Sequence, residues 1–204
     1  MKKAITFITV ALLALSLLAG CSQEKQLAPG VTTDTQYSSE MIGIRFTLPA
    51  EWHFASEEEV AQAMQLASAV TFADSEDFAT LAKSQPSITD VIAKANNGGA
   101  YLSISIINLE KLELDVSTSS GEYTSTIETQ LKEMDIYKDA VFTAATHSLG
   151  GQEFSSLTID STDSFGLFHR QYCKQIRSGY LVTVSITSLS AEETDAIAAM
   201  FAKM

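Results

Sequence analysis

From Ala140 onward the chain divides into four strand-like runs joined by turns too short to hold a crossover helix. The runs are Val141 to Ser148, Glu153 to Ser161, Leu167 to Ile176 and Tyr180 to Ser188. Between them lie Leu149-Gly150-Gly151, Thr162-Asp163-Ser164 and Arg177-Ser178-Gly179. Parallel neighbours need a connection of about a dozen residues or more, whereas antiparallel neighbours need only a hairpin turn. This spacing therefore predicts an antiparallel meander. Tyr180, Val182, Val184 and Ile186 recur with period two and share one face of its last strand.

Upstream of the meander the pattern is mixed. Ile42 to Leu48 alternates as a half-buried strand and stops at Pro49, and the single tryptophan, Trp52, is expected to plug one end of the core. Ser56 with Glu59 forms a capping box that opens a helix toward Ser68, with Val60, Met64 and Ala67 on its inner face. A second acidic start, Asp74 to Asp77, leads into Phe78, Leu81 and Ala82 before Pro86 breaks the helix. Ile88, Val91 and Ile92 then have helical spacing, which predicts a further helical turn over Ser87 to Ala95. Asn96-Asn97-Gly98-Gly99 is a turn, Tyr101 to Leu109 a strand, and Leu112 to Gly121 a loop. Glu122 to Met134 reads as an amphipathic helix with Ile127, Leu131 and Met134 buried. Ser190 with Glu193 begins a closing helix lined by Ile197, Met200 and Phe201. Helices and an antiparallel sheet in one chain give the α+β class.

The N-terminus carries an address. Lys2 and Lys3 precede an uncharged run from Ala4 to Ala19, too short for the roughly 20 apolar residues of a spanning helix and ending in small residues. The segment Leu18-Ala19-Gly20-Cys21 resembles the lipobox of bacterial lipoproteins. That resemblance implies cleavage between Gly20 and Cys21 and lipidation of the Cys21 thiol, with two or more acyl chains for stable anchoring. The competing reading is an ordinary signal peptide with a coincidental cysteine, or an uncleaved anchor. On the lipoprotein reading, residues 1–20 are a signal peptide. Residues 21–40, polar and carrying Pro29-Gly30, are a flexible tether, and 41–204 form one domain.

Charge and cysteine content limit the partners. The chain has 13 basic and 25 acidic residues. Loss of the two leader lysines leaves a net charge of about −14, which repels nucleic acid and anionic headgroups. With Cys21 lipidated, Cys173 has no partner for a disulfide and is expected to be a small packed residue. His53, His147 and His169 occur singly, without metal-ligand spacing, and no metal or other cofactor is expected. No Gly-x-Ser-x-Gly elbow or phosphate-cradling glycine loop is present. The acidic clusters Glu57-Glu58-Glu59, Asp74 to Asp77 and Glu192-Glu193 sit in helical first turns, where they complement the macrodipole. Arg170, Lys174 and Arg177 form the main basic group, expected to neutralise nearby acids, with contact to an anionic partner as the alternative.

The order of elements, with Phe46-Thr47-Leu48-Pro49 and Trp52 near one end and the strand and helix from Tyr180 to Phe201 at the other, resembles the PsbP-like fold. This fold is found in thylakoid photosystem subunits, a small nuclear import factor and many bacterial lipoproteins. The resemblance implies an antiparallel sheet covered by helices, in a family whose members mostly bind or help assemble larger proteins. No functional residue of those members is matched here. The expectation is thus a lipid-anchored, non-enzymatic protein on the extracytoplasmic face of a bacterial membrane, binding or assembling a protein partner at the cell envelope. The alternative is a small-ligand-binding lipoprotein with a cleft between sheet and helices. An enzyme would instead need His147 or His169 within reach of a carboxylate and a hydroxyl.

Overall fold

The computed structural model describes residues 26–64 and 75–204. The first strands are β1 (Val31–Thr32), β2 (Gln36–Ser39), β3 (Ile44–Thr47) and β4 (Trp52–Phe54). Helices α1 (Glu57–Ala63) and α2 (Ser75–Ser84) follow, then β5 (Ser87–Ala95), β6 (Tyr101–Asn108) and α3 (Ser120–Lys132). The remaining elements are β7 (Val141–Leu149), β8 (Gln152–Ser161), the short α4 (Thr162–Phe165), β9 (Leu167–Arg177), β10 (Tyr180–Ser188), α5 (Ala191–Ala198) and β11 (Phe201–Lys203).

The meander is present: β7, β8, β9 and β10 pair antiparallel in sequence order. β10 then pairs with β6, and β5 and β4 complete a seven-stranded sheet ordered β4-β5-β6-β10-β9-β8-β7. A second antiparallel sheet has the order β1-β2-β3-β11. The architecture is α+β. Its main core lies on the sheet face carrying Leu102, Ile104, Ile106, Val182, Val184 and Ile186, all almost fully buried, against the small sheet, α2 and α5. The opposite face packs Ile107, Cys173 and Leu181 against Tyr123 and Ile127 of α3. The β7–β8 turn needs Gly150, which has φ +59°; a Cβ there would lie 3.1 Å from the Ala202 carbonyl oxygen.

Local chemistry explains the helix starts. Ser56 Oγ accepts from the Glu59 amide while the Glu59 carboxylate accepts from the Ser56 amide, as the spacing predicted. Ser119 and Glu122 make a second such box at the start of α3. At Ser190 the box is only half made. Ser190 Oγ accepts from the Glu193 amide, but the Glu193 carboxylate accepts from Leu189 instead.

Four expectations are corrected. Ser87–Ala95 is strand β5, not a helical turn. A bulge between Thr89 and Val91 inserts one residue, so Ile88 and Val91, three apart, pair with Ile106 and Ile104 and share a face, mimicking helical spacing. Residues 21–40 are not a free tether over their described part. β1 and β2 join the small sheet, Leu27 and Tyr37 are buried, and the Tyr37 ring stacks on Phe46 at 5.3 Å. Met134 is exposed because α3 ends at Lys132, two residues before it; the buried residues of the helix are Tyr123 and Thr124. Phe201 belongs to β11, where it pairs with Phe46 of β3 at a ring separation of 4.9 Å, rather than to the closing helix. Trp52, on β4, is half-buried against the core. Gly20, Cys21, Ala67 and Asp74 lie outside the described residues. Among those residues, no helix is long and apolar enough to cross a membrane.

Candidate functional site

The β5 bulge has a chemical consequence. Thr89 pairs with Ser105 and Val91 with Ile104, leaving Asp90 as the extra residue, turned out of the alternation of its strand. Its carboxylate reaches the N-terminal segment. Asp90 Oδ2 accepts from the Tyr37 hydroxyl at 2.6 Å, and the Gly30 amide donates to both carboxylate oxygens at 2.9 and 3.1 Å.

Beside these bonds opens a cavity of about 360 Å³, walled by Pro29, Phe54, Val60 and Val91, with Glu57 and Asp90 as its acids. No basic side chain is among its described lining residues. Desolvation raises the Asp90 carboxyl to about 6, although the hydrogen bonds from Tyr37 and Gly30 pull the other way. Burial and the neighbouring Asp90 charge push the Tyr37 hydroxyl well above its ordinary value. The site is a desolvated acid held by two neutral donors and facing a part-apolar hollow. Sequence reading missed it because Asp90 lay inside an expected helical turn and Tyr37 inside an expected tether. The available signal was a lone carboxylate between Ile88 and Val91.

The residues singled out from sequence lie elsewhere. Arg170 is 8% exposed; its Nη1 donates to Asp195 Oδ1 at 2.6 Å and its Nε to Thr158 Oγ1 at 3.1 Å. Lys174 donates to Gln152 Oε1, and Gln152 Nε2 donates to the carbonyls of Ile42 and Gly43 at 2.9 and 2.8 Å. Arg177 lies over the Tyr180 ring at 5.4 Å. Arg170 thus meets an acid, as expected, while Lys174 helps tie the large sheet to the small one.

The three histidines do not converge. His53, on β4, and His147, on β7, lie on opposite edge strands of the large sheet. His147 packs edge-on to Tyr172, and His169, three residues before Tyr172 on β9, falls on the other face. Their Nδ1 atoms contact Asn96 Oδ1 (2.7 Å), Ser156 Oγ (2.7 Å) and Thr187 Oγ1 (2.8 Å), taking His53, His147 and His169 in turn. Desolvation lowers the His169 imidazole to about 4. Cys173 is fully buried, and desolvation pushes its thiol up to about 12. Among the described residues, no group of three or more His, Cys, Asp or Glu side chains is placed to hold a metal ion.

No family model matches the sequence, and no curated protein does. Among solved structures, the chain is similar to the solution structure of cyanobacterial PsbP (CyanoP) from Synechocystis sp. PCC 6803. Identity is 14% and the TM-score 0.45, over 92% of this chain and 99% of that one. It is also similar to a crystal structure from Bacteroides thetaiotaomicron VPI-5482, at 12% identity and a TM-score of 0.37. That match covers 85% of this chain and 49% of the other, so this chain spans about half its length.

Proposed function

We propose that this chain is a lipid-anchored protein on the outer face of a bacterial membrane, held through acyl chains on Cys21, whose body binds a protein partner along the edge of β7. The observation that carries the binding surface is the chemistry of that edge. β7 is nine residues long, contains no Asp, Glu, Lys or Arg, and has no strand beyond it among the described residues. The other described sheet edges, β4, β11 and β1, are only three, three and two residues long. Proteins normally blunt long edges with charge, proline or a cover, because an open ladder templates strand addition. Val141 is 64% exposed, and Thr143 to Thr146 are all exposed. The partner is accordingly an extended segment of another envelope protein, adding as an eighth strand.

Two experiments test this reading. Cys21→Ala is expected to move the protein from membranes to the soluble fraction; unchanged retention overturns the anchor. A photocrosslinker at Ala145 in intact cells is expected to give a discrete adduct that one at Glu192 of α5 does not give. Adding charge through Ala144→Lys and Ala145→Asp should abolish adducts formed from Thr143. Equal labelling from both faces, or adducts indifferent to the added charges, overturns the edge. A second reading, a small-ligand site between sheet and helix, is favoured by the cavity beside Asp90.

A further inference from the structure

We propose that the cavity beside Asp90 is a binding site for a small organic ammonium, a protonated amine carried on an apolar or aromatic body. This inference rests on the second reading above and is independent of the β7 edge.

Three observations at Asp90 converge on it. Burying a carboxylate is costly unless a charge or several hydrogen bonds compensate it, and basic residues usually supply the charge. Asp90 is held instead by a hydroxyl and an amide, both neutral. A carboxylate offers about four lone-pair positions, and the Gly30 amide divides one proton between the two oxygens. Acceptor capacity therefore remains for an N–H donor. The bulge that turns Asp90 out of the strand alternation is the kind of irregularity that re-aims a side chain at a site.

The walls select the rest of the ligand. Phe54 adds an aromatic side chain to the lining, while Val60, Val91 and Pro29 supply apolar contact. A volume of about 360 Å³ falls at the small end of the range of ligand pockets. Glu57, at the rim, adds negative potential, and no described lining residue adds positive potential. An anionic ligand would face the Asp90 carboxylate with no basic side chain among the described lining residues, and a neutral one would leave Asp90 as it stands. An ammonium supplies the missing charge.

Benzylamine is the probe, with benzyl alcohol and benzoate as its neutral and anionic counterparts of similar shape. Binding is followed by methyl NMR of the full-length chain in detergent. Benzylamine should shift the methyl signals of Val60, Val91 and Ile92 saturably and bind at least tenfold more tightly than benzyl alcohol, with benzoate silent. Asp90→Asn should weaken benzylamine binding at least tenfold. Because Asp90 also fastens the N-terminal segment, Val60→Phe provides a second arm, narrowing the cavity while leaving the carboxylate in place; it too should lose binding. Equal affinity for amine and alcohol, binding undiminished in either variant, or shifts confined to other methyls would overturn the site. Crosslinking from β7 should be the same with and without benzylamine, so failure of one surface is read separately from failure of the other.

Discussion

The Tyr37 hydroxyl donates to Asp90 Oδ2 at 2.6 Å across 53 residues of sequence, joining the small sheet to the bulge of the large one. The Gly30 amide meets the same carboxylate from the segment just ahead of β1. One side chain thus gathers the strands nearest the N-terminus onto the body.

Tyr37→Phe removes that donor and leaves the ring stacked on Phe46. A hydrogen bond to a charged group is worth about 1.5–3 kcal/mol, so the variant should lose stability in that range by denaturant unfolding. Because the bond favours the ionised acid, the Asp90 carboxyl should also titrate higher than in the parent, which carbon-detected NMR of the carboxyl would show. A variant as stable as the parent would mean that the bond is not holding the segment.

Gly30→Ala tests the same joint by steric means. An added Cβ would fall 2.1 Å from Tyr37 Cε2 and 2.4 Å from Cζ, so the ring or the segment must move. Overpacking of this kind costs about 1–3 kcal/mol. Hydrogen exchange at residues 31–39 should accelerate while exchange within β9 and β10 stays unchanged. Uniform acceleration throughout the chain would count against a local joint.

Asp90 and His169 act on stability with opposite signs over nearly the same pH window. Asp90 titrates at about 6 when folded against 3.8 ordinarily, so the folded chain holds its proton more firmly and stability falls as pH rises through that interval. His169 titrates at about 4 against 6.5, so the unfolded chain takes the proton first and stability falls as pH drops from 6.5 toward 4. Each shift of about two units corresponds to at most about 3 kcal/mol. The two effects largely cancel in the parent. Asp90→Asn should make the melting temperature fall more steeply on acidification, and His169→Gln should make it fall less steeply or rise. The comparison is between variants at each pH, because Glu59, Asp115, Glu122 and Asp160, all titrating below their ordinary values, lose stability in acid in every one of them. Parallel pH profiles for all three proteins would refute the pairing.

Much of the large sheet could be read from the sequence because its information is local. Gly150-Gly151 and Ser178-Gly179 announce hairpins, and the period-two run from Tyr180 to Ile186 announces the strand at the centre of the sheet. The capping box at Ser56 and Glu59 was legible for the same reason. What escaped was non-local. The bulge at Asp90 changes the period of β5 by one residue and shows only when β6 is alongside. β11 and β2 are short, and each depends on pairing with distant or equally short strands, β3 for both and β1 for β2, so Phe201 looked like the end of a helix and Tyr37 like part of a linker. The candidate site combines these two failures: its acid lies in the misread strand and its donor in the misread tether.

Arg170 and Asp195 provide an asymmetric test of how α5 is fixed to the sheet. The Arg170 side chain is 10% exposed and that of Asp195 66% exposed, with 2.6 Å between Nη1 and Oδ1. Removing the acid strands a buried cation with the Thr158 and Tyr172 hydroxyls and the Phe168 ring beside it but no counter-charge from Asp195, whereas removing the cation leaves Asp195 free to hydrate. Asp195→Ala is therefore expected to cost about 2–3 kcal/mol, a figure below the 3–5 kcal/mol for fully buried pairs because the acid is already in water. Arg170→Met, which keeps the apolar stem and removes the charge, should cost about 1 kcal/mol for the hydroxyls left behind. The double variant should be no less stable than Arg170→Met alone, because without the guanidinium the carboxylate has nothing to compensate. Chemical denaturation of the four proteins closes the cycle. If Arg170→Met proves the more damaging single change, the bonds of the guanidinium to Thr158 and Tyr172, rather than its pairing with Asp195, dominate.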